Sequence, residues 1–182
     1  MGIAPDTKDW TWVLERACPE CGFDTRVVSQ HEVPSLVRKN AAQWQAVLGP
    51  NSPVSIRPRP DRWSTLEYAC HVRDVYRLAD QRVSLMVDQD DPVFANWDQD
   101  ATAVADRYND QDPAVVAVEL QDAGATFAER LERLSPQDWI RTGSRSDGAR
   151  FRVESFARYL IHDPAHHLHD VGLVGVSLDP QP

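Results

Sequence analysis

Residues 112–134 read DPAVVAVELQDAGATFAERLERL. Aspartate followed by proline is a helix start. The carboxylate can accept from free N–H groups of the first turn, and proline's fixed φ suits the first helical position. Val116, Leu120, Ala123, Phe127, Leu131 and Leu134 then recur three and four residues apart, the stripe of an amphipathic helix. Ser135-Pro136 ends it and begins a short extra turn.

Working outward, the same period appears on both sides. Val33, Leu36, Val37, Asn40, Trp44, Val47 and Leu48 predict a helix that stops at Gly49-Pro50, with Pro34 expected to break or kink its first turn. The stretch NSPVSIRPRPDR that follows is rich in proline and reads as loop. Ser64 and Glu67 form a capping-box pattern, and Val72, Val75, Ala79, Val83 and Met86 mark a second long helix behind it. A last helix is expected from about Glu154 to Gly172 or Gly175. Residues 89–112 are acidic and irregular, with a short helix around Ala101 to Tyr108. The segment RTGSRSDGARFRV before the last helix reads as a small hairpin or plain loop, and residues 1–26 as an irregular lead-in. Four long helices with almost no strand signal predict an all-α four-helix bundle with short additional helices, a single domain over residues 1–182.

Composition narrows the function classes. The 182 residues are 42% hydrophobic and 26% charged, ordinary for a globular chain. A net charge of -9 argues against nucleic acid, whose phosphates need clustered Lys and Arg. No apolar run approaches the roughly 18 residues that cross a bilayer, so no membrane partner is expected. The opening MGIAPDTKDWTW lacks a basic start followed by an apolar stretch, so no secretory signal is expected either. Three cysteines are too few for a disulfide framework and fit a reducing cytoplasm.

The histidines carry the chemistry. Of six, four crowd into HDPAHHLH, residues 162–169. Helix residues four apart differ by only about 40° in direction, so His162 and His166 point the same way and can share one metal ion. His169 falls on that side one turn on. A third ligand must come from another helix, and His71 sits beside the apolar stripe of the second one, where an unpaired imidazole is costly to bury. The expected ligand set is therefore His71, His162 and His166, suited to zinc, nickel or iron(II) and leaving a position open for water. One conflict stands. In an unbroken helix His162 lies about 160–200° from the stripe Phe156, Leu160, Val171. Either this helix is buried on most sides or Pro164 shifts its phase, and periodicity leaves His167 open as the ligand.

RWSTLEYACHVRD, residues 62–74, followed by HDPAHHLHDVG, residues 162–172, resembles the DinB-like superfamily. That group includes YfiT-like metalloenzymes and the metal-binding domain of mycothiol-dependent maleylpyruvate isomerase. Trp63, Glu67, His71, His162 and His166 match its pattern of tryptophan and glutamate leading into a histidine, then a His-x-x-x-His pair. The opening DWTWVLERACPECGFD is similar to a lead-in of actinobacterial members. The resemblance implies a helical bundle with an interior three-histidine metal site. It also implies a thiol-dependent transferase or isomerase with mycothiol as cosubstrate and an electrophilic substrate, or else a metal-dependent hydrolase. The chain departs from the pattern at Pro164 and at His169, which stands where a bulky apolar residue is expected.

Other residues have competing readings. Glu67 and Asp74 flank His71 by one turn and could orient an imidazole or act as general base, as could His169; a cap and a surface charge are the plainer roles for the two acids. Arg73 and Arg77, with Arg82, could bind carboxylates of a thiol cofactor or form a solvated salt-bridged face. The segment Arg145 to Arg150 is expected as a rim over the site. Cys18-Pro-Glu-Cys21-Gly is half of a zinc knuckle without a second Cys-x-x-Cys; His31 is a candidate partner, and ordered loop thiols are the default. Cys70 reads as a buried inert thiol. A binding bundle without turnover, acting as a homodimer, competes with the enzyme reading.

Overall fold

The computed structural model describes residue 3, residues 9–49 and residues 52–173. Six helices order the described chain: α1 (Val33–Val47), α2 (Thr65–Asp88), α3 (Gln99–Ala105), α4 (Pro113–Glu132), α5 (Pro136–Trp139) and α6 (Val153–Asp170). The long ones, α1, α2, α4 and α6, form the predicted four-helix bundle. Its core is built from their apolar stripes, with Trp44, Tyr76, Met86, Leu120, Phe127 and Phe156 almost fully buried. Each such side chain contributes about 1.5–3 kcal/mol by leaving water. Gly124 on α4 marks a close approach of three helices: a Cβ there would lie 3.1 Å from Ala41 Cβ on α1 and 3.5 Å from the Tyr76 ring on α2.

The helix starts follow the local chemistry. Ser64 Oγ accepts from Glu67 N at 3.1 Å while the Glu67 carboxylate accepts from Ser64 N at 2.8 Å, which closes the capping box of α2. Asp112 accepts from Ala114 N at 2.8 Å ahead of Pro113. Pro34 sits in the first turn of α1, where its missing N–H is not needed, so the expected break does not occur. Pro50, half of the predicted stop for α1, lies outside the described residues, as does the Gly175 alternative for the end of α6. That helix stops at Asp170. Gly172, at φ +85°, donates to His169 O at 2.9 Å and Leu173 donates to Leu168 O at 3.0 Å, the double bond of a Schellman turn.

Residues 141–153 form the hairpin alternative. Strand β2 (Thr142–Arg145) pairs antiparallel with β3 (Arg150–Arg152) in the register Gly143 to Phe151, and also parallel with β1 (Val93–Phe94) in the register Val93 to Ser144. β1 was expected to be irregular. It is two residues long and held by a partner some fifty positions away, so it leaves no local period to read. The lead-in contains two 3-10 turns, Thr11–Leu14 and Thr25–Val27, tied together by the Thr25 hydroxyl donating to Val13 O. It packs on α6 with the rings of Trp10, Trp12 and Phe23 against His162. The last helix is therefore covered on two sides, by the bundle and by the lead-in, and continues through Pro164. No helix among the described residues is long and apolar enough to cross a membrane.

Candidate metal centres

α6 carries two ligand pairs at i, i+4, offset by one residue: His162 with His166, and Asp163 with His167. At about 100° per residue, His167 lies within about 20° of Leu160 and Asp163 within about 60°, on the bundle side; His162 lies about 160° away. The offset turns the two pairs about 100° apart, one toward α2 and the other toward the lead-in.

On the bundle side, Asp163 Oδ1 lies 3.2 Å from His71 Nε2 and 3.6 Å from His167 Nε2. One ligand atom from each of the three residues falls within 4.8 Å of the others. His71 is fully buried between two indoles: Trp97 stacks on it at 5.3 Å and 9°, and Trp63 lies 5.3 Å away at a tilt. The Tyr68 ring packs at 4.9 Å on His167, whose Nδ1 is 2.9 Å from Asp170 Oδ2. Asp170 is held in turn by Arg62, which donates to its carbonyl oxygen at 2.6 Å. Burial opposes ionisation of Asp163, but the charges of His71 and His167 outweigh it and hold the carboxyl far below the usual range.

Asp163 and His167 open on a cleft of about 1030 Å³ that His162 and His166 also border, with His71 behind Trp97. Arg82, Arg145 and Arg150 also line it, together with Tyr159 and, from the lead-in, Trp10. Arg145 donates to the Tyr159 hydroxyl at 3.0 Å, and Arg82 to Ala95 O at 2.8 Å. Burial, with the neighbouring Arg145, lowers Arg82 to about 10, which leaves it cationic at neutral pH. The hairpin between Arg145 and Arg150 thus supplies a rim.

On the lead-in side, Cys18 Sγ lies 3.6 Å from His166 Nδ1 and Cys21 Sγ lies 3.7 Å from His162 Nε2. Ligand atoms of all four residues fall within 4.8 Å of one another. Burial, then the neighbouring His166, lowers His162 to about 4, so its imidazole is neutral.

The structure therefore corrects the expected trio. His71 does not join His162 and His166; it meets Asp163 and His167, because α6 is phased with that pair toward α2. His162 and His166 face the lead-in instead. The proposed auxiliary residues have other partners. Glu67 is taken up by the capping box and by a bidentate pair with Arg57. Asp74 accepts from Arg73 at 2.9 Å, Arg77 at 3.2 Å and the Tyr108 hydroxyl at 2.5 Å, a network that continues to Glu119 on α4. Arg73 and Arg77 are thus spent on carboxylates of the chain itself and do not line the cleft. His169 belongs to neither cluster; its ring is 6.0 Å from that of His166. His31 packs on Trp139, away from Cys18 and Cys21. Cys70 is buried, with Tyr108 O at 3.7 Å.

Sequence reasoning missed Asp163 and Trp97. The first had a signal: Asp163 and His167 repeat the spacing of His162 and His166 and fall on the apolar stripe. Trp97 had none, since its place depends on the loop after β1 and on its indole N–H donating to Thr102 at 2.8 Å.

The sequence profile of the DinB superfamily matches residues 34–171. Among solved structures, the chain is similar to YfiT from Bacillus subtilis, described as a probable metal-dependent hydrolase with an unusual four-helix bundle topology. The two agree with a TM-score of 0.60 at 18% identity, over 92% of this chain and 89% of that one. No curated protein matches the sequence.

Proposed function

The chain belongs to the DinB superfamily, and from that premise we propose that it is a metal-dependent hydrolase of a small polar substrate, with one divalent ion held by His71, Asp163 and His167. The observation that carries this reading is the convergence of two imidazole nitrogens and a carboxylate oxygen at the base of the cleft. The donor set fits such an ion. Two neutral imidazoles and one carboxylate leave coordination positions free, as open catalytic sites require, and zinc suits the set. The Asp170 carboxylate on Nδ1 of His167 directs the lone pair of Nε2 toward the cluster, the usual outer support of a ligating histidine.

When bound, a divalent ion supplies Lewis acidity that brings the pKa of water or a thiol toward neutrality. The chain's own residues supply the rest. On the cleft wall Arg82 and Arg145, the latter paired with Asp147 at 2.9 Å, would supply guanidinium donors that orient a polar substrate group. Trp97 and Tyr159 give it an apolar wall that restricts water near the cluster. The description of YfiT as a probable metal-dependent hydrolase supports the same class.

A thiol-dependent transferase or isomerase is the second reading, favoured by one observation. The cleft, about 1030 Å³, stands at the top of the roughly 300–1,000 Å³ usual for one small ligand. It has room for a mycothiol-type cosubstrate beside an electrophile. Ion-loaded protein assayed on ester, amide and phosphoester panels, and with mycothiol plus monochlorobimane, separates the two. We expect ion-dependent hydrolysis of a substrate in these panels, lost in His167→Ala. Conjugation without hydrolysis selects the second reading. Neither, in ion-loaded protein, reduces the chain to a binding bundle.

A further inference from the structure

We infer that Cys18, Cys21, His162 and His166 form a second and closed metal site, a tetrahedral zinc centre that clamps the N-terminal segment onto α6. The inference is independent of the hydrolase reading, because it shares no ligand with the cluster at the cleft.

The sequence spacing is that of a structural zinc site. Cys-x2-Cys from a tight turn meets His-x3-His from a helix, and the set is complete at four ligands. Zinc bonds of about 2.3 Å to sulfur and 2.0–2.1 Å to nitrogen, spread tetrahedrally, put sulfur and nitrogen about 3.6 Å apart. The two sulfur–nitrogen edges in the structure measure 3.6 and 3.7 Å. The turn is built for the purpose. Gly22 N donates to Cys18 O and Cys18 N donates to Phe23 O, both at 2.9 Å, and Gly22 takes φ +77°, a conformation costly for any side chain with a Cβ.

The surroundings are those of a closed centre. Cys18, His162 and His166 are buried and Cys21 is half-buried, and the indole of Trp10 covers the pair of imidazoles, 5.6 Å from the His162 ring and 5.3 Å from the His166 ring. The nitrogen of His166 that turns away from Cys18 has the carboxylates of Glu20 at 3.5 Å and Asp170 at 3.8 Å, the acidic outer partners typical of a metal-bound imidazole. There is also a structural need. Among its described residues the lead-in has two 3-10 turns and no amphipathic helix or strand, yet it forms one wall of the cleft through Trp10, Thr11 and Leu14. Filling the site releases two thiol protons to the buffer and exchanges weak thiol–imidazole contacts for four metal bonds.

The test is elemental analysis of the untagged full chain as purified, followed by cobalt(II) titration of the reduced chain after a chelator has stripped its metal. We expect bound zinc as purified. We also expect a thiolate-to-cobalt charge-transfer band with intense tetrahedral d–d bands, saturating at one equivalent in His167→Ala, where the cleft cluster does not compete for the ion. The bands should disappear in Cys18→Ser and Cys21→Ser and persist in Cys70→Ser, which leaves only the lead-in thiols as their source. They should also persist in His71→Ala and His167→Ala, so failure of the cleft cluster is seen separately from failure of this centre. Absence of a thiolate band in the wild-type chain overturns the inference whether or not the variants fold. Persistence of the band in both lead-in cysteine variants overturns it as well.

Discussion

His166 and His167 are consecutive in the chain and 6.0 Å apart between ring centroids, yet they serve different clusters: His166 faces Cys18, and His167 faces His71 and Asp163. Between them stands Asp170, with Oδ2 at 2.9 Å from His167 Nδ1 and 3.8 Å from His166 Nε2. One carboxylate thus borders both sites, much more closely on the cleft side.

That asymmetry makes Asp170→Asn informative. The amide keeps the shape but loses the charge that orients His167. Loss of such an outer partner weakens metal binding by about 10–100-fold. We expect that drop at the His71–Asp163–His167 cluster, measured by competition with a chromogenic chelator, with the cobalt–thiolate band little changed. Equal affinity in the variant would show that His167 is held by packing on Tyr68 alone.

Trp97→Ala tests how His71 is shielded. The indole stacks on the imidazole and separates it from the cleft. Truncation should cost about 1–3 kcal/mol in unfolding free energy. It should also turn His71 from a protected into a reactive side chain toward diethyl pyrocarbonate, read by peptide mass mapping. Unchanged modification of His71 would place its protection elsewhere.

Acid sensitivity should trace to Glu67 and Asp74. Burial alone favours the neutral carboxyl of Glu67, but hydrogen bonds from Arg57 and Ser64 outweigh it; for Asp74, Arg73 and Tyr108 do the same. Both are held below the ordinary carboxylate range. A depressed carboxylate contributes stability that is present above its unfolded pKa and lost as pH falls through its folded one. Unfolding free energy should therefore decline as pH drops below about 4. The double variant Glu67→Gln, Asp74→Asn should be less stable at neutral pH by about 1–3 kcal/mol for each lost charged hydrogen bond, with a shallower acid limb. An acid limb of the same slope would transfer the effect to other carboxylates.

Much of the bundle is legible in the sequence because its signals are local. Asp112-Pro113, the Ser64–Glu67 box and the apolar stripes each specify an element through residues at most a few turns apart. The site is legible only in part. His-x3-His is conspicuous, and it drew the third histidine to the wrong pair; the phase conflict at His162 was the correct warning, since a helix covered on two faces has no polar side. What the sequence could not show is which segment covers the second face. The answer, the cysteine turn of the lead-in, lies about 140 positions away from α6, and nothing in either segment alone announces the other. The role of Arg82 and Arg145 was hidden for the same reason, because the cleft wall is assembled from α2, the hairpin and the lead-in together.

The one-residue offset of the two pairs on α6 binds their fates to a single register. A residue inserted between Phe156 and Leu160 would turn everything after it by about 100° and advance it by about 1.5 Å. Both constellations would then be misaimed at once. Substitution can silence either one alone, but a change in the length of this helix cannot adjust one without dismantling the other.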